Sequence, residues 1–116
     1  MKNLALLLLL LAEMLLTHRS ASAQIIYSSN SKSEADVLVY VTEWKSEADL
    51  LVYKTEWKSE AKGKNEGLWY FTEWKSEAKK KIYFTKWKSE AKLKIYFTEW
   101  KSEAGWKEHS KMQLLY

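Results

Sequence analysis

No cysteine and no proline occur in the 116 residues, and glycine appears only at Gly63, Gly67 and Gly105. The first absence excludes a disulfide framework, thiolate zinc sites, a cysteine nucleophile and a lipid-anchoring cysteine. Scarce glycine excludes glycine-rich phosphate loops. Histidine is limited to His18 and His109, too few for a multi-histidine metal site. Arginine occurs once, at Arg19. With so few chemical groups of these kinds, no cofactor is expected.

The N-terminus reads as an address. Lys2 precedes the apolar run Leu4 to Leu16, a polar patch follows, and Ala21-Ser22-Ala23 precedes Gln24. A basic start, a short apolar run and an Ala-x-Ala site describe a secretory signal peptide. The run holds 13 residues and includes Glu13, whereas about 20 apolar residues are needed to cross a bilayer. Residues 1–23 are therefore expected to be a signal peptide and residues 24–116 a single domain, with no permanent membrane span. The exported part carries 17 Lys, no Arg and 14 acidic residues, a formal charge of +3. One small domain excludes a multidomain enzyme.

Aromatic mass is what the chain has in place of staples. Seven Trp, seven Tyr and three Phe all follow Ala23, and large rings supply much burial per residue. They recur in a unit of 13 residues. Ser-Glu-Ala begins at Ser33, Ser46, Ser59, Ser76, Ser89 and Ser102, with one longer step of 17 that holds an insertion around 63–67. Tyrosines stand at 27, 40, 53, 70, 83 and 96, and His109 occupies a seventh place in that register. A fixed short period has to be settled before any fold is assigned.

Within a unit the pattern has a period of two. Leu93, Ile95 and Phe97 alternate with Tyr96, Thr98 and Trp100, as Val37, Val39 and Val41 do with Leu38, Tyr40, Thr42 and Trp44. β-branched and aromatic residues on both sides read as strands buried on one face and largely covered on the other. The polar Ser-Glu-Ala segment is a turn, in which the Ser hydroxyl could bond a nearby backbone N–H. A strand of about seven residues at ~3.3 Å each spans the whole molecule, and closing the set would remove aggregation-prone edges.

The unit Tyr83-Phe84-Thr85-Lys86-Trp87-Lys88-Ser89-Glu90-Ala91, repeated as Tyr96-Phe97-Thr98-Glu99-Trp100-Lys101-Ser102-Glu103-Ala104 and preceded by Trp74-Lys75-Ser76-Glu77-Ala78-Lys79, resembles a family of small bacterial proteins of unknown function. Its members form a seven-crossing torus ("septoil") knot. The resemblance covers roughly residues 25–110. It implies an all-β fold of seven 13-residue strand–turn repeats in a closed, deeply knotted toroidal β assembly, and it brings no activity or site residues.

Repeated Ser-Glu pairs such as Ser89-Glu90 suit a turn better than a nucleophile and base, because an identical pair in every unit marks structure rather than one active site. Glu43, Glu56, Glu73 and Glu99 precede tryptophans and give way to Lys86 in one copy, which fits solvent-facing charge better than a hydrolytic pair. The Lys79-Lys80-Lys81 run reads as a solvated face. The Trp-Lys steps carry the best binding chemistry, since rings beside ammonium groups suit stacking on sugars. The alternative is that the rings pack the core or rim while the lysines shield edges. Candidate ligand-binding residues are Trp74, Lys75, Trp87, Lys88, Trp100 and Lys101. Export, the missing arginine and the modest charge argue against nucleic acid.

The expectation is a periplasmic or secreted monomer, a non-enzymatic structural or binding protein that presents Trp and Lys to an envelope glycan or protein. A self-assembling β fibre subunit is the alternative, and a small hydrolase a remote one.

Overall fold

The computed structural model describes residues 24–61 and 65–116; the expected leader, residues 1–23, lies outside them. Seven strands alternate with one-turn connectors: β1 (Ile25–Ser28), β2 (Val37–Val41), β3 (Leu50–Lys54), β4 (Leu68–Phe71), β5 (Lys80–Phe84), β6 (Leu93–Phe97) and β7 (Gly105–Trp106). Most connectors are single 3-10 turns of sequence Lys-Ser-Glu, and the third is a one-turn α-helix, α1 (Lys58–Ala61). The period-two alternation ends where each of the strands β2 to β6 ends, at the Thr that follows it; Ser29 follows β1.

The first six strands are all parallel and close into a barrel in the order β4-β1-β5-β2-β6-β3, with β3 returning to β4 through Tyr53 opposite Leu68 and Lys54 opposite Trp69. The chain makes two laps. Strands β1 to β3 take alternate places, and β4 to β6 fill the gaps on the second lap. Every connector except the one from β3 to β4, which are neighbours, therefore joins strands two places apart and passes outside the strand between them. The connector from β2 to β3 covers β6, where Lys45 Nζ lies 5.7 Å from the centre of the Tyr96 ring. The same contact recurs between Lys32 and Tyr83, Lys75 and Tyr27, and Lys88 and Tyr40. This is why strands can be apolar on both faces: the core covers one and the chain's own connectors cover the other.

The register stacks equivalent repeat positions in layers of six inside the barrel. The central layer is Ile26, Val39, Val52, Trp69, Ile82 and Ile95, each fully buried. Trp69 is the one ring among β-branched residues, and its strand compensates two residues earlier with Gly67, the only side-chain-free position in the layer below. The indole N–H of Trp69 has no acceptor among the described residues, a cost set against the large apolar area of the ring. The lower layer holds Gln24, Val37, Leu50 and Leu93, all buried. The upper layer is Ser28, Val41, Lys54, Phe71, Phe84 and Phe97.

The lower end is capped. β7 pairs antiparallel with the start of β3, and a 3-10 segment, His109–Leu115, drives Leu115 into the core. Gln24 Nε2 donates to the Leu115 carbonyl, Asn65 Nδ2 donates to the Met112 carbonyl, and the Trp106 indole donates to Asn65. Lys111 pairs with the nearly buried Asp49 at 2.9 Å. His109, which shares the tyrosine register in sequence, sits exposed in this cap rather than on a strand, because the last unit turns back at Gly105 instead of continuing the winding.

Gly67 should be the least replaceable residue. Its φ is +88°, and a Cβ there would stand 2.4 Å from the Leu51 carbonyl oxygen. Gly105 has a φ of +154° with open space around it. Gly67→Ala is expected to lower the thermal midpoint by about 10 °C or more, and Gly105→Ala by clearly less; differential scanning calorimetry of the two variants checks the order.

Candidate functional site

The polar half of each repeat, Thr-x-Trp-Lys-Ser-Glu, builds one circuit around the barrel. Thr98 sets the local geometry: its hydroxyl oxygen accepts from the Trp100 N–H at 3.2 Å and its hydroxyl donates to Glu103 at 2.7 Å. Thr42, Thr55, Thr72 and Thr85 repeat this with Trp44/Glu47, Trp57/Glu60, Trp74/Glu77 and Trp87/Glu90. Ser29 takes the threonine's place in the first unit, bonding Glu34 and the Ser31 N–H. The turn's side-chain acceptor is thus the buried threonine, while the serines of Ser-Glu-Ala stay exposed. The Ser-based turn expected from the sequence gives way to one based on Thr, because only the residue that ends the strand is held against the wall under the turn.

Each glutamate then receives a lysine from the neighbouring connector. Lys32 pairs with Glu90, Lys88 with Glu47, Lys45 with Glu103, Lys101 with Glu60, Lys58 with Glu77 and Lys75 with Glu34. The six pairs close a ring in the same order as the strands of the barrel. Ion pairing with these lysines, followed by the Thr or Ser hydroxyl bond, holds Glu34, Glu47, Glu60, Glu77, Glu90 and Glu103 below the ordinary carboxylate value of 4.5. Hydrogen bonding to the glutamates raises Lys32, Lys45, Lys75 and Lys88 above 10.5.

The tryptophans stand outside this ring. Trp44, Trp57, Trp74, Trp87 and Trp100 are each 65–67% exposed, so the core-packing reading of the Trp-Lys steps does not hold for them. Large rings left in water at five equivalent positions are unusual for a small domain. Beside two of them lie small open clefts: one of about 260 Å³, lined by Trp100, Tyr96, Phe97, Thr98, Glu99, Glu103 and Lys45, and one of about 360 Å³, lined by Trp74, Tyr70, Phe71, Thr72, Glu73, Glu77 and Lys58. Glu43, Glu56, Glu73, Lys86 and Glu99 are exposed, as solvent-facing charges should be.

Of the residues singled out from the sequence, Trp74, Trp87 and Trp100 present exposed rings, whereas Lys75, Lys88 and Lys101 are engaged in ion pairs with Glu34, Glu47 and Glu60. Around the ring, Trp44 stands between Trp87 and Trp100, and Trp57 between Trp100 and Trp74. Sequence order hides that interleaving. The partly buried Phe71, Phe84 and Phe97 were not singled out as a group either. They come from alternate strands and meet over the upper end of the barrel, with ring centres 6.2–6.4 Å apart. Lys54 Nζ lies 5.3 Å from the centre of the Phe71 ring and 5.5 Å from that of Phe97, and it forms no ion pair among the described residues. No group of three or more His, Cys, Asp or Glu suited to a metal occurs among the described residues. No described helix is long and apolar enough to cross a membrane.

Two measurements test this circuit. Thr85→Val removes the acceptor of the Trp87 N–H and is expected to cost about 1–3 kcal/mol, whereas the exposed Ser89→Ala should leave the urea midpoint unchanged. The glutamates are depressed when folded, so their contribution is complete above their unfolded value and is lost as pH falls through the folded ones. The raised lysines contribute fully below 10.5 and lose that contribution as pH rises through their folded values. Thermal midpoints measured across pH should form a plateau that falls away below about pH 4.5 and above about pH 10.5, with the plateau lowered by salt.

The chain matches the family of the 7(1) septoil knot domain over residues 23–107. No curated protein and no solved structure gives a match. The matched stretch takes in all six strands of the double-lap barrel and every turn of the ion-pair ring, and on it the chain belongs to the septoil knot domain family, a structural repeat family of unknown function.

Proposed function

We propose that this chain is an exported, non-enzymatic binding protein that holds envelope glycans on the exposed tryptophans Trp74, Trp87 and Trp100. The observation that carries the reading is the placement of these rings: each stays mostly in water at an equivalent position of the repeat. The apolar C–H face of a pyranose stacks on an aromatic face through its electron-rich quadrupole. The polar groups beside Trp74 and Trp100 suit the rest of a sugar, because carboxylates accept from hydroxyls and ammonium groups donate to them. The clefts lie near the lower limit of drug-sized pockets, which run from roughly 300 to 1,000 Å³, and one or two sugar rings match that scale.

Catalysis has little support in this geometry. The glutamates of the Ser-Glu pairs are each bound to a lysine and a hydroxyl, and depression of their pKa disfavours the protonated acid that glycoside hydrolysis requires. The fibre alternative is disfavoured by closure: each of the six parallel strands has a strand on both sides, which removes the open edges a strand-wise fibre would extend.

Tryptophan fluorescence titrations with oligomers of N-acetylglucosamine, glucose and galacturonic acid, one to six units long, test the reading. Trp100→Ala is expected to weaken the binding of the best ligand at its cleft by about tenfold or more, with the thermal midpoint kept within about 2 °C of the parent because the ring is mostly in water. Absence of binding by every oligomer would refute the glycan reading. Loss of stability in the variant would show that the ring is structural.

A further inference from the structure

The six turns of the ring are not equivalent, and the inequality alternates. The upper-layer position, just before the Thr or Ser that follows each strand, is Phe71, Phe84 or Phe97 on β4, β5 and β6, and Ser28, Val41 or Lys54 on β1, β2 and β3. Because the second lap lies in the gaps of the first, phenylalanine-bearing positions occupy every other place around the barrel. The sequence separates two blocks of three; the winding converts them into a threefold arrangement. The two clefts at Trp74 and Trp100 both belong to the phenylalanine set, and Phe71 and Phe97 line them. The third member of the set, at Trp87, carries the same Tyr-Phe-Thr sequence with Lys86 in place of the glutamate.

From this alternation we infer that the protein is trivalent: Trp74, Trp87 and Trp100, each backed by its phenylalanine, form three like subsites for a polysaccharide or a dense array of glycan chains, and Trp44 and Trp57 are not subsites. The inference rests on the glycan reading above and adds its valency. Three weak sites on one rigid body bind a polymer or surface far more tightly than a single sugar, because the second and third contacts form at high effective concentration. A small cleft with one stacked ring is a weak site by itself. Rigid spacing by a closed barrel preserves the geometry that avidity needs, and the ion-pair ring joins the turns that carry the rings. Lys54, between the Phe71 and Phe97 positions and without a carboxylate partner among the described residues, places one ammonium group between two subsites. This arrangement favours acidic or hydroxyl-rich linkages there.

Isothermal titration of the protein with the N-acetylglucosamine trimer measures the number of sites, and retention on insoluble peptidoglycan measures avidity. Three equivalents per chain are expected, falling to two in Trp87→Ala and to one in Trp87→Ala/Trp100→Ala, with unchanged affinity at the sites that remain. Retention should fall about tenfold or more with the first loss. Trp44→Ala and Trp57→Ala should change neither quantity. One equivalent, or five equivalents with Trp44 and Trp57 contributing equally, would overturn the trivalent arrangement and leave the glycan reading standing. Absence of binding to the trimer and to peptidoglycan alike would overturn both. Thermal midpoints of all variants within about 2 °C of the parent keep the comparison free of unfolding.

Discussion

Everything in this molecule depends on pairing between the two laps of the chain. Each of β1, β2 and β3 hydrogen-bonds only to β4, β5 or β6 within the barrel, so no part of the six-stranded wall forms until both halves have met. Parallel strands ordinarily need long crossovers, commonly a helix. Here the crossovers are single turns that lie against the outside of the intervening strand, and the wall is covered on both faces by the same chain. A 13-residue unit is therefore both wall and cladding. That economy lets a short chain bury two strand faces without a disulfide.

The turn chemistry follows from the same geometry. A threonine, or Ser29 after β1, sits under each connector of the ring, fixes the backbone two residues on and orients a glutamate, and the glutamate receives the lysine of the next connector around. Exposed ion pairs are individually weak. Six of them joined in a closed circuit, each with a hydroxyl on the same carboxylate, act instead on the relative placement of connectors that are distant in sequence. Lys75 and Glu34 or Lys88 and Glu47 are 41 positions apart, so the ring ties the first lap to the second on the outside as the hydrogen bonds do on the inside.

With threonine, glutamate and lysine occupied in this circuit, the exposed tryptophan is the residue of the repeat whose side chain makes no hydrogen bond among the described residues. Rings that pack, such as Trp69 and Trp106, interrupt or end the repeat; those that keep its period face water. A repeat selected only for folding would have little reason to keep so costly a residue exposed at every turn, and this contrast gives the binding reading its physical basis.

Much was legible from residues alone. Period-two patterning in Val37–Val41 and Leu93–Phe97 marked strands, since alternation is a local property of a pleated chain with two covered faces. The 13-residue repeat marked one winding unit, but the aromatic count misplaced the source of cohesion: the buried core is aliphatic around Trp69, and five of the tryptophans lie in water. The polar turns were legible as turns, but not the hydroxyl that organises them: serine and threonine offer the same local bonds, and burial alone selected Thr85 over Ser89. His109 shared the tyrosine register yet lies in the cap, because register in sequence says nothing about where the winding stops. The grouping of Phe71, Phe84 and Phe97, the pairing of each Lys-Ser-Glu lysine with a glutamate from another connector, and the order of tryptophans around the rim were decided only by tertiary structure. Nearly identical repeats are compatible with many pairings. Only closure of two interleaved laps selects one, and with it which side chains become neighbours.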